Sequence, residues 1–256
     1  MTLEVMGVLN ITPDSFSDGG LFTEKSAAIA QAEQLIADGA TILDVGGEST
    51  RPGAVRVSIQ EEIARVVPVI EAIKGLGVAM SVDTMNSDTA RAAVAAGATI
   101  INDVSGGRND PAIFKVAAET DSTLIISHWR GHSDQMDSLN QYQSIGKEVA
   151  MELQTQVQLA LAAGVTKVII DPGLGFAKDV DQNWQLLEEL GELQKLGFPI
   201  LIGASRKRFI AARLSEPDTL DARDRATAQL MHDLLEKYEL WGIRVHNVKA
   251  LGLRQN

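Results

Sequence analysis

Short apolar runs recur along this chain, each with a glycine before it and a polar residue after it. A typical unit consists of a helical segment, the glycine, a nearly continuous β-branched run, then the polar residue and a loop. Glycine supplies the left-handed backbone that ends a helix, and short continuous apolar runs are typical of strands buried on both faces, as in parallel sheets. The unit occurs in "ADGATILDVGG", "GLGVAMSVDT", "AAGATIINDVSGG", "LAAGVTKVIIDPGLG", "KLGFPILIGAS" and "LWGIRVHNV".

Two further apolar runs, "EVMGVLN" and "STLIISH", bring the predicted strands to eight. Helical patterns lie between the strands, among them "YQSIGKEVAMELQTQVQLALAAG" and "SIQEEIARVVPVIEAIKG", in which Ser58 and Glu61 have the spacing of a capping box. Strands that alternate with helices in this number predict an α/β fold, a single (β/α)8 TIM barrel forming one domain over residues 1–256. A doubly wound open sheet is the alternative.

Polar residues follow nearly every predicted strand. In a barrel the carboxyl ends of the strands meet at one rim, where barrel enzymes have their active sites. Each residue alone could serve only as a helix cap or a turn, but the set predicts an active site at the C-terminal rim. Asn102 and Asp103 are neighbours on a strand, so at most one of them faces the mouth. The rim residues are Asn10, Asp44, Asp83, Asn102, His128, Asp171, Ser205, Arg244 and His246.

Composition excludes several classes of protein. The formal net charge of −11 argues against a nucleic-acid partner, which would need a basic surface. The chain has no cysteine, which excludes disulfides, thiolate zinc sites and cysteine nucleophiles and fits a reducing compartment. No apolar stretch approaches the roughly 18 residues of a membrane span. We therefore expect a cytoplasmic protein without a nucleic-acid or membrane partner.

Three basic residues indicate the kind of ligand. Arg51, Lys207 and Arg244 come from separate rim loops of an acidic protein, which favours an anion, and phosphates in barrels commonly bind at the last two βα loops. The carboxylates of Asp83 and Asp171 instead suit a neutral ring rich in hydrogen-bond donors. The expected partner is a small molecule with a flat donor edge and an anionic tail.

Seven segments of the chain form a further pattern: "GVLNITPDSFSDGG", "DVGGESTRPGA", "SVDT", "INDVSGG", "DPGLGFAK", "GASRK" and "RVHNV". Together, in order and over nearly the whole length, they resemble the dihydropteroate synthase family. That resemblance implies a TIM barrel which joins 6-hydroxymethyl-7,8-dihydropterin diphosphate to p-aminobenzoate, releasing dihydropteroate and diphosphate in folate biosynthesis. It also implies a homodimer.

The resemblance also implies how the pterin ring is bound. Asp171 would accept hydrogens from the 2-amino group and N3, and Asp83 and Asn102 would bind the other ring nitrogens. Lys207 would donate to the 4-oxo and N5 side. These pairings match a carboxylate to a guanidine-like edge and an ammonium to a carbonyl.

The remaining roles concern diphosphate and p-aminobenzoate. Arg244 and His246 would hold the diphosphate, with Asn10 binding the Mg²⁺ that neutralises it, and Arg51 and Lys207 would act with them in catalysis. Diphosphate would leave before the aniline nitrogen attacks, so that no general base is needed. Thr50, Arg51 and Pro52 would order p-aminobenzoate and diphosphate, Phe176 would line the p-aminobenzoate slot, and "ITPDSFSDGG" would close over the site as a lid.

Several positions depart from the family pattern. Asn247 stands where the family usually has aspartate, Trp129 replaces a commoner methionine, and Arg208 follows Lys207 where serine is frequent. The last helix is also short, which could weaken a dimer contact. Two alternatives stay open: a pterin-binding methyltransferase that uses methyltetrahydrofolate, and a catalytically silent pterin-binding protein.

Overall fold

All eight predicted strands are present in a computed structural model of the protein, which describes residues 2–11, 20–48, 56–132 and 135–253. The strands are β1 (Glu4–Asn10), β2 (Ile42–Gly46), β3 (Ala79–Asp83), β4 (Ile100–Asp103), β5 (Thr123–Ser127), β6 (Val168–Asp171), β7 (Leu201–Ile202) and β8 (Gly242–Val245). Every pairing between neighbouring strands is parallel, as the continuous apolar runs predicted.

The strands form one sheet in the order β6-β5-β4-β3-β2-β1-β8-β7. Its two edges meet through a parallel bridge between Ile170 and Ile200, next to a hydrogen bond of 2.9 Å from the Ile170 amide to the Pro199 carbonyl. This contact closes the sheet into a barrel. The predicted TIM barrel is confirmed, and the doubly wound open sheet is excluded.

Helices follow the strands around the outside of the barrel. At the start of α2 (Ile59–Ile73) the Ser58 hydroxyl accepts from the Glu61 amide at 3.2 Å, which is the first half of the predicted capping box. Asp179 and Gln182 form a complete capping box at α6 (Val180–Glu188). The helices are α1 (Gly20–Ala37), α2 (Ile59–Ile73), α3 (Ser87–Ala96), α4 (Ala112–Glu119), α5 (Ile145–Ala162), α6 (Val180–Glu188), α7 (Gly191–Gln194), α8 (Arg208–Ala211) and α9 (Leu220–Lys237), with 3₁₀ turns at Met136–Leu139 and Lys249–Leu251. Among the helices of the described residues, none combines the length and the apolar character needed to cross a membrane.

The glycines before the strands behave as predicted, with one exception. Gly242 lies inside β8, where a Cβ atom would be only 3.1 Å from the Glu4 carbonyl oxygen. The prediction of a helix-ending glycine is wrong there, because the glycine instead permits close approach of β8 to β1. The other five, which have positive φ angles, are Gly39, Gly77, Gly97, Gly164 and Gly197.

Two apolar layers support the rim. The larger lies between the sheet and the helices, and the smaller fills the barrel interior. Since strand side chains alternate, the residues two positions beyond the interior layer also face inward, and three of them are Asp44, Asn102 and Asp171. The interior layer therefore forms an apolar floor beneath a polar mouth. It consists of Met6, Ile42, Ile100, Ile125, Ile169 and Leu201.

Candidate active site at the C-terminal rim

Arg244 joins two carboxylates inside the barrel mouth. Its Nε donates to Asp44 Oδ2 and its Nη2 donates to Asp83 Oδ2, both at 2.6 Å. The Asp44 side chain is fully buried and that of Asp83 nearly so, whereas the Arg244 side chain is 19% exposed. Two buried carboxylates therefore share the single positive charge of the guanidinium, part of which stays accessible.

Asp44 orients two of the predicted binding residues. Besides Arg244, its Oδ2 accepts from the Asn102 amide nitrogen at 3.1 Å. Its other oxygen, Oδ1, is buried without a hydrogen-bond partner in the described chain, as is the hydroxyl of Ser81, which lies opposite Asp44 in the β2–β3 register. The sequence placed Asp44 on the rim but assigned it no role, and the strand-end position was the only signal.

Burial changes the protonation of this group. Burial raises the pKa of Asp83 to about 7, Arg244 opposes that shift, and the negative charge of Asp44 adds to it. Burial also works against the charge of Arg244, but Asp44 and Asp83 outweigh it and raise the pKa of the guanidinium. Arg244 thus stays charged, while Asp83 titrates near neutral pH.

A second group lies across the junction of β6 and β7. Asp171 Oδ1 accepts from the Gly173 amide at 2.6 Å. A Cβ atom on Gly203 would lie 3.4 Å from Asp171 Oδ2, so glycine leaves room for this carboxylate. Burial raises the pKa of Asp171, and the positive charge of Lys207 opposes that shift.

Lys207 faces Asp171 from the loop after β7. Its ammonium donates to the Leu174 carbonyl and lies 4.9 Å from the centroid of the Phe176 ring. Burial lowers the pKa of Lys207 to about 8, although the carboxylate of Asp171 counteracts this. The structure therefore brings Lys207, Asp171 and Phe176 together; pterin binding by the first two and p-aminobenzoate binding by Phe176 stay predictions.

His246 and Asn10 lie at other points of the rim. The main-chain nitrogen and the ring Nδ1 of His246 are each 3.1 Å from the Ser205 hydroxyl oxygen. The amide oxygen of Asn10 lies 3.5 Å from the position that a Cβ on Gly46 would occupy, and Asp83 Oδ2 lies 3.8 Å from the same point. Thr50, Arg51 and Pro52, and most of the predicted lid (12–19), lie outside the described residues.

The alternation of strand side chains is confirmed at β4. Asn102 faces the mouth, where it contacts Asp44. Asp103 faces away and accepts from the Ser105 amide and hydroxyl at 2.8 and 2.7 Å and from the Gly107 amide at 2.6 Å. Asp103 therefore stabilises the loop after β4, and only Asn102 is available to a ligand in the mouth.

Asn247 also points away from the mouth. Its amide nitrogen donates to Asp224 of α9 at 2.9 Å, and Asp224 pairs with Arg206 through bonds of 2.7 and 2.8 Å. An aspartate at position 247 would bring a second carboxylate against Asp224. The departure from the family pattern at this position thus has a local electrostatic reason, and the amide of Asn247 bonds to Asp224 and to the Ala250 main-chain nitrogen.

The fold and the residues of the mouth define a class of protein, the barrel enzymes that bind pterins. The family model described as pterin binding enzyme matches residues 6–246. Dihydropteroate synthase of Streptococcus pyogenes is 49% identical over 96% of this chain and 91% of its own.

Two solved structures agree with this match. Xanthomonas albilineans dihydropteroate synthase with 4-aminobenzoic acid has a TM-score of 0.89 at 40% identity, covering 98% of this chain and 89% of its own. The Anaplasma phagocytophilum enzyme with bound 6-hydroxymethylpterin-monophosphate has a TM-score of 0.88 at 37% identity, covering 98% and 96%. The chain belongs to the dihydropteroate synthase family of pterin-binding enzymes.

Proposed function

We propose that this protein joins 6-hydroxymethyl-7,8-dihydropterin diphosphate to p-aminobenzoate, with diphosphate leaving before the aniline nitrogen attacks. One observation carries the proposal: two buried carboxylates, a buried amide and an ammonium converge above the apolar floor of the barrel. The ligands named for the Xanthomonas and Anaplasma structures, 4-aminobenzoic acid and a hydroxymethylpterin phosphate, support it.

The charges of the mouth suit a neutral ring. Asp171 would accept from the 2-amino group and N3 of the pterin, and Asn102 and Asp83 would bind its other ring nitrogens. Lys207 would exchange its bond to the Leu174 carbonyl for one to the 4-oxo group. Each pairing would form a hydrogen bond in a buried pocket, where a charged partner strengthens it.

The diphosphate would bind at the outer edge of the mouth, at His246, Arg51 and the exposed part of Arg244, whose Nε and Nη2 bind Asp44 and Asp83. Asn10 fits a Mg²⁺ site, because it offers an amide oxygen at the rim and Gly46 leaves the space beside it open. Within the described ranges, no three His, Asp or Glu side chains form a metal cluster, which suits an ion held mainly by phosphate oxygens and water. Mg²⁺, when bound, would neutralise charge on the leaving group.

The protein's own contribution is to stabilise charge and exclude water. The pterin ring can stabilise the methylene cation left when diphosphate departs, and Lys207, Arg244, His246 and Arg51 would stabilise the departing anion. Phe176 would cover the p-aminobenzoate slot, which Thr50 and Pro52 would complete. Because water is excluded while basic side chains bind the departing diphosphate, aniline attack is favoured over hydrolysis.

The test is release of diphosphate by purified protein given the pterin diphosphate, p-aminobenzoate and Mg²⁺. We expect release over many turnovers to require p-aminobenzoate, which captures the cation. Release should fall at least about a hundredfold in Arg244→Met, which removes a cation from the leaving group and leaves Asp44 and Asp83 without their partner. Pterin binding without release would favour the catalytically silent alternative. Methyl transfer from methyltetrahydrofolate without diphosphate release would favour the methyltransferase. The homodimer and the cytoplasmic location remain predictions.

A further inference from the structure

A buried lysine, Lys178, belongs to the β6–α6 loop (residues 172–179) and lies outside the set of predicted binding residues. Lys178 is only 8% exposed, and its ammonium donates to the carbonyls of Gly173 and Phe176, each at 3.0 Å. Its third contact is with His128 Nδ1 at 2.9 Å. All three hydrogen-bonding directions of one buried nitrogen are therefore used inside the protein.

His128 connects this lysine to the partly buried carboxylate of Glu152. Its Nε2 lies 3.1 Å from Glu152 Oε2, and Arg130 binds Glu152 Oε1 through Nη2 at 2.5 Å and Nε at 3.1 Å. Burial works against a positive charge on this pair, lowering the pKa of Lys178 well below its usual value and that of His128 to about 3. The negative charge of Glu152 opposes both shifts.

The same loop is held from a second direction. The Tyr142 hydroxyl donates to the Ala177 carbonyl at 3.0 Å, and the Arg130 guanidinium lies 3.9 Å from the centroid of the Tyr142 ring. Ala177 has a φ of 47°, a left-handed conformation that is unfavourable for alanine. The loop therefore adopts a backbone that it would not keep without donors for its inward-facing carbonyls.

The residues held by this loop belong to the pocket. Asp171 directly precedes it, Phe176 lies within it, and the Leu174 carbonyl accepts from Lys207. The loop also packs tightly on its support, since a Cβ atom on Gly173 would lie 1.9 Å from the His128 carbonyl oxygen. A change in the loop conformation would thus displace two predicted pterin contacts and the p-aminobenzoate slot together.

We propose that Lys178, hydrogen-bonded to His128, is a positioning residue that fixes the β6–α6 loop and thereby places Asp171, Phe176 and Lys207 for substrate binding. What those three residues bind rests on the function proposed above. Tyr142 acts on the same loop as a weaker support, because it holds a single carbonyl.

The test compares Lys178→Met, which keeps the length and apolar stem without donors, with Tyr142→Phe and the control Lys167→Met. Lys167 lies just before β6 at the opposite end of the barrel and pairs at the surface with Asp121 at 2.7 Å. The measurements are the dissociation constant of a pterin analogue by calorimetry, the KM for p-aminobenzoate, and amide hydrogen exchange of residues 172–179.

We expect Lys178→Met to weaken pterin binding and raise the KM for p-aminobenzoate by about tenfold or more, and Tyr142→Phe by about threefold. Exchange should accelerate in residues 172–179 and not in the rest of the barrel. Lys167→Met should match the wild type. Wild-type affinity and exchange in a folded Lys178→Met protein would overturn the proposal.

If Lys178→Met does not fold, loop exchange and pterin affinity are compared between Tyr142→Phe and the wild type. If both are unchanged in Tyr142→Phe, the proposal is overturned. If the wild type binds no pterin, the proposed function fails. Loop exchange then still decides whether Lys178 and Tyr142 position the loop, because that measurement requires no substrate.

Discussion

Arg244 determines the balance of charge in the mouth. It is bound to Asp44 and Asp83, and Lys207 opposes Asp171, so three carboxylates share two cations. With Asp83 titrating near pH 7, the inner mouth is close to neutral. This is the environment expected for an uncharged, donor-rich ring, while an anion would need the cations of the outer rim.

A pH dependence follows from Lys207. Because burial lowers the pKa of its ammonium to about 8, the group loses its charge, and with it the charge-assisted hydrogen bond to the pterin carbonyl, as the pH rises past that value. We expect kcat/KM for the pterin diphosphate to fall about tenfold per pH unit on the alkaline side. Lys207→Met should have low activity and lack that alkaline decline. A wild-type profile that is flat to about pH 9.5 would contradict the assignment.

The Asp171 carboxylate offers a more direct test of ring recognition. Asp171→Asn keeps the shape but turns one acceptor into a donor facing a donor, which should cost roughly 2 to 4 kcal/mol of binding free energy for a pterin analogue. Calorimetry measures it, with the exposed Asp121→Asn as control. An affinity within about threefold of the wild type would rule out the two-point contact.

At the scale of single elements, the strands were predictable and several contacts between them were not. Continuous apolar runs locate buried parallel strands, and alternation correctly separated Asn102 from Asp103. The role of Asp44 was not predictable, because its partner Arg244 lies 200 positions away in the sequence. The same holds for Lys178 and His128, which are 50 positions apart and meet only when β5 and β6 pair.

Gly242 shows how one residue limits strand pairing. In Gly242→Ala the new Cβ would lie 3.1 Å from the Glu4 carbonyl oxygen, and a backbone atom cannot rotate away. We expect the free energy of unfolding to fall by about 1 to 3 kcal/mol. Gly191→Ala, where nothing lies within 4 Å of the added atom, should change stability little. Urea unfolding measures the free energy of unfolding of both variants. Equal values would show that an added Cβ at position 242 does not crowd the Glu4 carbonyl.

At the scale of the whole molecule, the interior apolar layer that stabilises the fold lies directly beneath the polar mouth proposed to bind substrate. Ile125 is fully buried in the interior apolar layer, beneath the mouth. Ile125→Ala should reduce the free energy of unfolding by roughly 2 to 5 kcal/mol through lost burial and the cavity it leaves. The folded fraction should still bind a pterin analogue within about threefold of the wild type.

The matched variant Ile125→Val removes one methyl group and should cost roughly 0.5 to 1.5 kcal/mol. Thermal unfolding measures the stability that the apolar layer provides, and calorimetry on the same samples measures pterin binding in the mouth above it. A large loss of pterin affinity in either variant, at temperatures where it is folded, would show that the layers are not independent.

The bridge between Ile170 and Ile200 that closes the barrel is also the shortest strand pairing in the described sheet. Neighbouring strands elsewhere share longer ladders, whereas β7 contributes only two residues, so the ring of strands can widen here at the smallest cost in hydrogen bonds. Asp171 and Lys207 lie on opposite sides of this joint. A pterin ring bound by both residues would link β6 to the loop after β7, so the substrate itself would add contacts across this strand pairing.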